Sequence, residues 1–154
     1  MNEKLISVLN DLIQINNDRI TGYEKAAEES EKTDVDLKAV FSKMADESRK
    51  YKSELDGEVR RLGGTPSTDT TSLGKIYRVW MDIKAGFSGN DRQSILNSCE
   101  YGEDAAQKAY KDALASDAEI NVATRQLITS QQSALKSSHD LIKKYRDANK
   151  AVTV

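Results

Sequence analysis

Cys99-Glu-Tyr-Gly-Glu-Asp-Ala-Ala-Gln-Lys-Ala-Tyr110 reads as the middle of a long helix. Leu96, Cys99, Glu103, Ala106, Tyr110 and Ala113 alternate steps of three and four, the spacing of one packed helical face. Five of these six suit an apolar core. Glu103 does not, because a carboxylate on a buried face needs a partner, a metal or a proton. What Glu103 meets is therefore the central question about function.

Three more helices of the same kind surround this one. The first is predicted over about 3–31, with Leu9, Ile13, Asn16, Ile20, Tyr23 and Ala27 as its seam, flanked by Leu5 and Leu12. Thr33-Asp-Val-Asp36 resembles a capping box for a second helix over about 35–62. Its seam is Leu37, Phe41, Met44, Ser48, Tyr51, Leu55, Val59 and Leu62, with Glu47 beside it. Arg60 and Arg61 suit the negative end of the helix dipole. Gly63-Gly64 offer a left-handed cap, and Pro66 blocks resumption. The third helix is expected over about 91–114. The fourth is expected over about 118–148, behind a Ser116-x-x-Glu119 capping box, with Thr124, Ile128, Gln131, Leu135, Ser138, Ile142 and Tyr145 as its seam. Between helices two and three, Ile76, Val79, Trp80 and Ile83 suggest a short helix over about 73–85. A hairpin between long helices needs only about 2–8 residues, so this longer connection predicts a crossover with helices two and three parallel. No alternating strand pattern appears.

Composition fits one all-α domain over 1–154. Only one Pro and eight Gly interrupt 154 residues, which permits long helices. A net charge of -2 with interspersed signs provides no basic stripe for nucleic acid. One Cys excludes an intramolecular disulfide, and on its seam Cys99 reads as a small buried hydrophobe. No window approaches the roughly 20 apolar residues of a membrane span, and no signal peptide opens the sequence. The expectation is a cytoplasmic protein without membrane or nucleic-acid partners.

Glu103 and Tyr110 stand two turns apart on one face, as do Asn16 and Tyr23. Carboxylate-x6-Tyr on helices one and three is similar to the ferritin-like di-iron pattern. That resemblance implies Glu-x-x-His on helices two and four, enclosing two metals. This chain departs from it. Asn16 replaces a carboxylate, Glu47 is followed by Lys50 where His is implied, and His139 has Lys136 three residues before it. A turn centred near residue 32 sets Asn16 opposite 47 or 48. A turn centred near 117 or 118 sets Glu103 opposite Gln131 or Gln132 and leaves His139 roughly 10 Å lower. The expected core layer is thus Asn16, Glu47, Glu103 and Gln131, in which amides can serve the carboxylates without a metal. Tyr23 and Tyr110 are expected as core aromatics with satisfied hydroxyls.

Taken together, Asp18-Arg-Ile-Thr-Gly-Tyr-Glu-Lys-Ala-Ala27, Val59-Arg-Arg-Leu-Gly-Gly-Thr-Pro66, Cys99–Tyr110 and Ser138-His-Asp-Leu-Ile-Lys-Lys-Tyr-Arg-Asp147 resemble a bacterial family of small ferritin-like four-helix-bundle proteins with a domain of unknown function. The resemblance implies the ferritin-like bundle and its crossover, and it brings no activity. Three functions follow as expectations. The first is a non-catalytic, stress-associated or partner-binding bundle with a degenerate di-metal site and no cofactor. The second is a divergent metal-binding or di-iron oxidase-like protein, taking iron or another divalent metal on Glu103, Glu47, Gln131 and His139, with Glu100 a further donor. The third is a self-associating scaffold that uses the crossover helix.

Overall fold

Apolar side chains every three or four residues give each helix one face that must leave water, and four such faces close on one another. The computed structural model describes residues 2–30, 35–68 and 92–152. Helix α1 is Glu3–Ser30, α2 is Val35–Arg61, α3 is Arg92–Leu114 and α4 is Val122–Val152. No strand occurs among the described residues. None of these helices is long and apolar enough to cross a membrane. The expected helix over 73–85 and residues 33–34 of the expected cap lie outside the described residues.

The core draws on all four helices. Leu9, Leu12 and Ile13 of α1 meet Phe41, Met44, Leu55 and Val59 of α2, Leu96, Ala106 and Tyr110 of α3, and Ile128, Leu135 and Ile142 of α4. α1 packs along α2, α3 along α4, and α1 also against α3, while α2 and α4 approach least closely. Between α2 and α4 a cleft of about 360 Å³ opens, lined by Lys43, Glu47, Tyr51, Ser137 and Ser138 among others.

Hydrogen bonds fix the directions. Asn16 bonds Tyr110, while Arg19 and Tyr23 bond Glu103, so α1 rises as α3 descends. Glu58 meets Thr124 and Glu47 meets Ser138, so α2 and α4 are antiparallel. Asn16 and Arg19 share Ser48 across the α1–α2 hairpin. Hence α2 and α3 run parallel, and the end of α2 and the start of α3 lie at opposite ends of the bundle. The chain leaving α2 turns at once along α1. Gly64 lies against Ile6, Asn10 bonds Thr65 and the backbone N–H of Ser67, and Gln14 bonds Ser67 Oγ.

The end of α2 follows the expectation from Gly63-Gly64. The Gly64 N–H donates to Val59 O at 2.9 Å and the Gly63 N–H to Arg60 O at 3.0 Å, with Gly63 at φ +86°. This paired bonding satisfies carbonyls that the last helical turn leaves open. The start of α4 differs from the capping box expected at Ser116 and Glu119. Ser116 Oγ turns back to Ala113 O, and residues 116–121 are irregular. Asn121 caps instead, its Oδ1 accepting the Thr124 N–H at 2.8 Å. The α3–α4 turn therefore centres near residue 121, as the Tyr110–Gln131 and Asp104–His139 contacts require.

Candidate functional site

Glu103 meets a cation from its own chain. Arg19 on α1 is completely buried, and its Nε donates to Glu103 Oε1 at 2.7 Å, with Nη2 2.6 Å from the same oxygen. Tyr23 OH donates to that oxygen at 2.6 Å. Neither Arg19 nor Glu103 exposes any side-chain surface. The Tyr23 ring lies 5.1 Å from the guanidinium carbon and tilts against Phe41, so the cation also faces an aromatic wall. Burial by itself would pull the Arg19 pKa down. The Glu103 carboxylate, with Tyr23 and Glu47 adding to it, more than offsets this, so the net shift is upward and the guanidinium stays charged.

From Arg19 the bonds run on through every helix. Nη1 donates to Ser48 Oγ at 2.6 Å, and the Ser48 hydroxyl donates to Asn16 Oδ1 at 2.9 Å. Asn16 Nδ2 donates to Tyr110 OH at 2.9 Å and to Leu12 O at 2.9 Å. The Tyr110 hydroxyl donates to Gln131 Oε1 at 2.6 Å. Gln131 Nε2 closes the series on Tyr51 O and Glu54, both at 3.2 Å. Each hydroxyl accepts one bond and donates one, so the chain of bonds has a consistent direction. One atom stands apart: Glu103 Oε2 is buried and has no hydrogen-bond partner.

Burial pushes the ionisation of Tyr23 and Tyr110 upward, and the adjacent Glu103 carboxylate adds to the effect at Tyr23. Cys99 is fully buried on the same face, and burial, then Glu103, raises its thiol well above the usual range. A thiol so placed is inert rather than nucleophilic.

The residues expected in one polar layer are divided by the structure. Asn16, Glu103 and Gln131 belong to one connected network, with Tyr110, Ser48 and Arg19 as its joints. Asn16 stands opposite Ser48, at the expected height. Glu47 lies at the α2–α4 cleft, half-buried, and accepts from Ser138 Oγ at 3.0 Å. Tyr23 and Tyr110 are core aromatics with bonded hydroxyls, as expected.

The expectation that His139 lies roughly 10 Å below Glu103 is not met. Its Nε2 lies 2.5 Å from Asp104 Oδ1, the residue next to Glu103, and its Nδ1 lies 3.2 Å from Asp140 Oδ1. The later start of α4 moves His139 up to that level. It sits on the outer seam of α3 and α4, away from the buried network. Glu100 completes this outer group and is paired with Arg146.

Arg19 lies outside the expected seam: periodicity favours Asn16–Ile20–Tyr23, but Ile20 is only half-buried and Arg19 takes the inner position. Both Asn16–Arg19–Tyr23 and Asn16–Ile20–Tyr23 obey the three-and-four spacing, and hydrophobicity decides wrongly between them. The available signal is Glu103 itself, whose buried carboxylate needs a partner, and Arg19 is the cationic side chain a turn from Tyr23.

Comparison with known proteins adds a family but no activity. The profile of a family described as "Domain of unknown function (DUF2383)" matches residues 4–116. That span takes in α1 to α3 and every member of the buried network except Gln131. No curated protein matches the chain.

Proposed function

The chain belongs to the DUF2383 family, and from that premise we propose that it is a non-catalytic ferritin-like bundle whose core is locked by an ion pair and whose work is done by its surfaces. The ferritin-like reading draws support from the parallel course of α2 and α3 and from residues 64–67, which leave α2 along α1. The observation that carries the functional reading is the fully buried Arg19 guanidinium on Glu103.

A di-iron pair in this architecture takes a Glu from each of two helices and Glu-x-x-His from each of the other two. The residues here do not fit that group. Asn16 and Gln131 are neutral and already bonded, Glu47 points to Ser138 at the cleft, and Glu103 gives one oxygen to Arg19 and Tyr23. Only Glu103 Oε2 is left over, and a fixed positive charge stands beside it. In a dry interior a cation at that distance strongly opposes a metal ion.

The test is anaerobic loading with ferrous iron, desalting and elemental analysis, with Glu103→Gln alongside. No iron held by the core is expected, so the variant should match the parent. About two irons per chain, lost in Glu103→Gln, would instead establish a di-metal centre and overturn the reading.

A further inference from the structure

We propose that Glu100, Asp104 and His139 form a mononuclear site for a divalent transition metal of the zinc class, on the outer seam between α3 and α4. It is separate from the buried network. One ligand atom from each of the three residues lies within 4.8 Å of the other two. Donors about 2.0–2.2 Å from one ion stand no more than about 4.4 Å apart, so an ion would draw the wider pairs together and enter between His139 Nε2 and Asp104 Oδ1, now 2.5 Å apart.

Helix geometry supplies the first two donors. Glu100 and Asp104 are four residues apart on α3 and so project from one face, one above the other. The third comes from α4, with Nε2 turned toward Asp104. The other ring nitrogen, Nδ1, faces the Asp140 carboxylate at 3.2 Å. A metal-binding imidazole almost always donates its second N–H to such a carboxylate, which fixes the tautomer and leaves the inner nitrogen as a donor. One imidazole with two carboxylates is a donor set that zinc-class ions accept, with water completing the coordination. Both Glu100 and His139 are largely covered, with side chains 14% and 17% exposed, so their rotamers are held by packing rather than by solvent.

Arg146 is the built-in competitor. It pairs with Glu100 and also bonds Asp147 through Nη2 at 2.8 Å and Nε at 3.1 Å. Metal binding exchanges the guanidinium for the ion on Glu100, while Asp147 continues to hold Arg146. The guanidinium therefore weakens the site without destroying it.

The test is titration of the full chain with Co²⁺, read by visible absorption, and with Zn²⁺ by calorimetry. One ion per chain is expected. His139→Ala should abolish stoichiometric binding, and Asp140→Ala should weaken it about 10–100-fold, the usual effect of losing the outer carboxylate. Arg146→Gln should tighten it several-fold, a gain that a purely structural ion-pair cluster would not give. Arg19→Met/Glu103→Gln, which alters the buried pair without stranding a charge, should leave it unchanged. Binding that survives His139→Ala, or is lost in that double variant while its helical spectrum is retained, would overturn the site. So would the absence of saturable binding in both the parent chain and Arg146→Gln.

Discussion

Arg19 and Glu103 carry opposite charges in a place that water does not reach. Taking each out of water costs several kcal/mol, and the pair is tolerable only because attraction and hydrogen bonds offset that cost. Removing one partner strands the other. Arg19→Met is expected to lose about 3–5 kcal/mol, read as a lower urea midpoint. In Arg19→Met/Glu103→Gln no charge is stranded, and the amide oxygen can still accept from Tyr23, so at least half of the loss should return. A double variant as unstable as the sum of its single changes would show that the two side chains are not coupled. Tyr110→Phe is a milder change. It deletes the hydroxyl between Asn16 and Gln131, leaves Gln131 Oε1 without its donor, and should cost about 1–3 kcal/mol. The sequence showed that Glu103 required something and that Asn16 and Gln131 were inside. It did not single out Arg19, because the rule that places hydrophobic residues on the buried face chooses Ile20 at that turn. The rule fails where an interior needs a charge, since a cation is buried for its partner rather than for its own transfer energy.

The elements depend on how their ends are closed. Gly63 adopts a left-handed φ of +86°, which a side chain disfavours by about 1–2 kcal/mol, so Gly63→Ala should lose that much stability, read as a lower urea midpoint. Gly64 is constrained by space instead. A Cβ there would sit 2.8 Å from Ile6 Cγ2 and 3.1 Å from Val59 Cγ1, and Gly64→Ala should cost about 1–3 kcal/mol through overpacking. The two effects can be separated. Ile6→Ala should relieve the Gly64→Ala penalty in a double-mutant cycle and leave the Gly63→Ala penalty intact. Equal relief at both glycines would mean that neither cause has been identified. This cap was legible because Arg-Arg-Leu-Gly-Gly-x-Pro places charge, glycine and proline in the order that a helix end demands. The start of α4 was not. Ser116-x-x-Glu119 and Asn121 are both good caps, and local sequence does not rank them. Packing does: Ala118 is buried and Ile120 half-buried in the irregular turn, and Lys4 reaches across to Asp117 at 2.6 Å. A turn centred near 117 or 118 would set His139 well below Asp104; the cap at Asn121 instead brings the two level, which local sequence alone does not show.

At the scale of the whole molecule, one continuous series of bonds from Glu103 to Gln131 joins four helices, and its two phenols are buried with Cys99 at its edge. Those three acids are neutral in the folded state and resist ionisation because burial, first of all, raises each pKa. The unfolded chain has no such restraint: its thiol titrates near 9.0 and its phenols near 10.0. A raised pKa in the folded state means a contribution that is complete below the unfolded value and is lost as pH rises toward the folded one. The window therefore opens near pH 9 with Cys99 and widens near pH 10 as Tyr23 and Tyr110 join. Each group then removes roughly 1 kcal/mol of stability per pH unit. The urea midpoint should fall with increasing steepness from pH 9 to 11. Tyr23→Phe/Tyr110→Phe starts less stable but no longer has the two phenols to ionise, so its midpoint should fall less steeply. A parent chain with a flat midpoint to pH 11 would mean that the phenols ionise in the folded bundle. The interior around Arg19 would then be open to solvent, and the locked core on which the non-catalytic reading rests would fail with it.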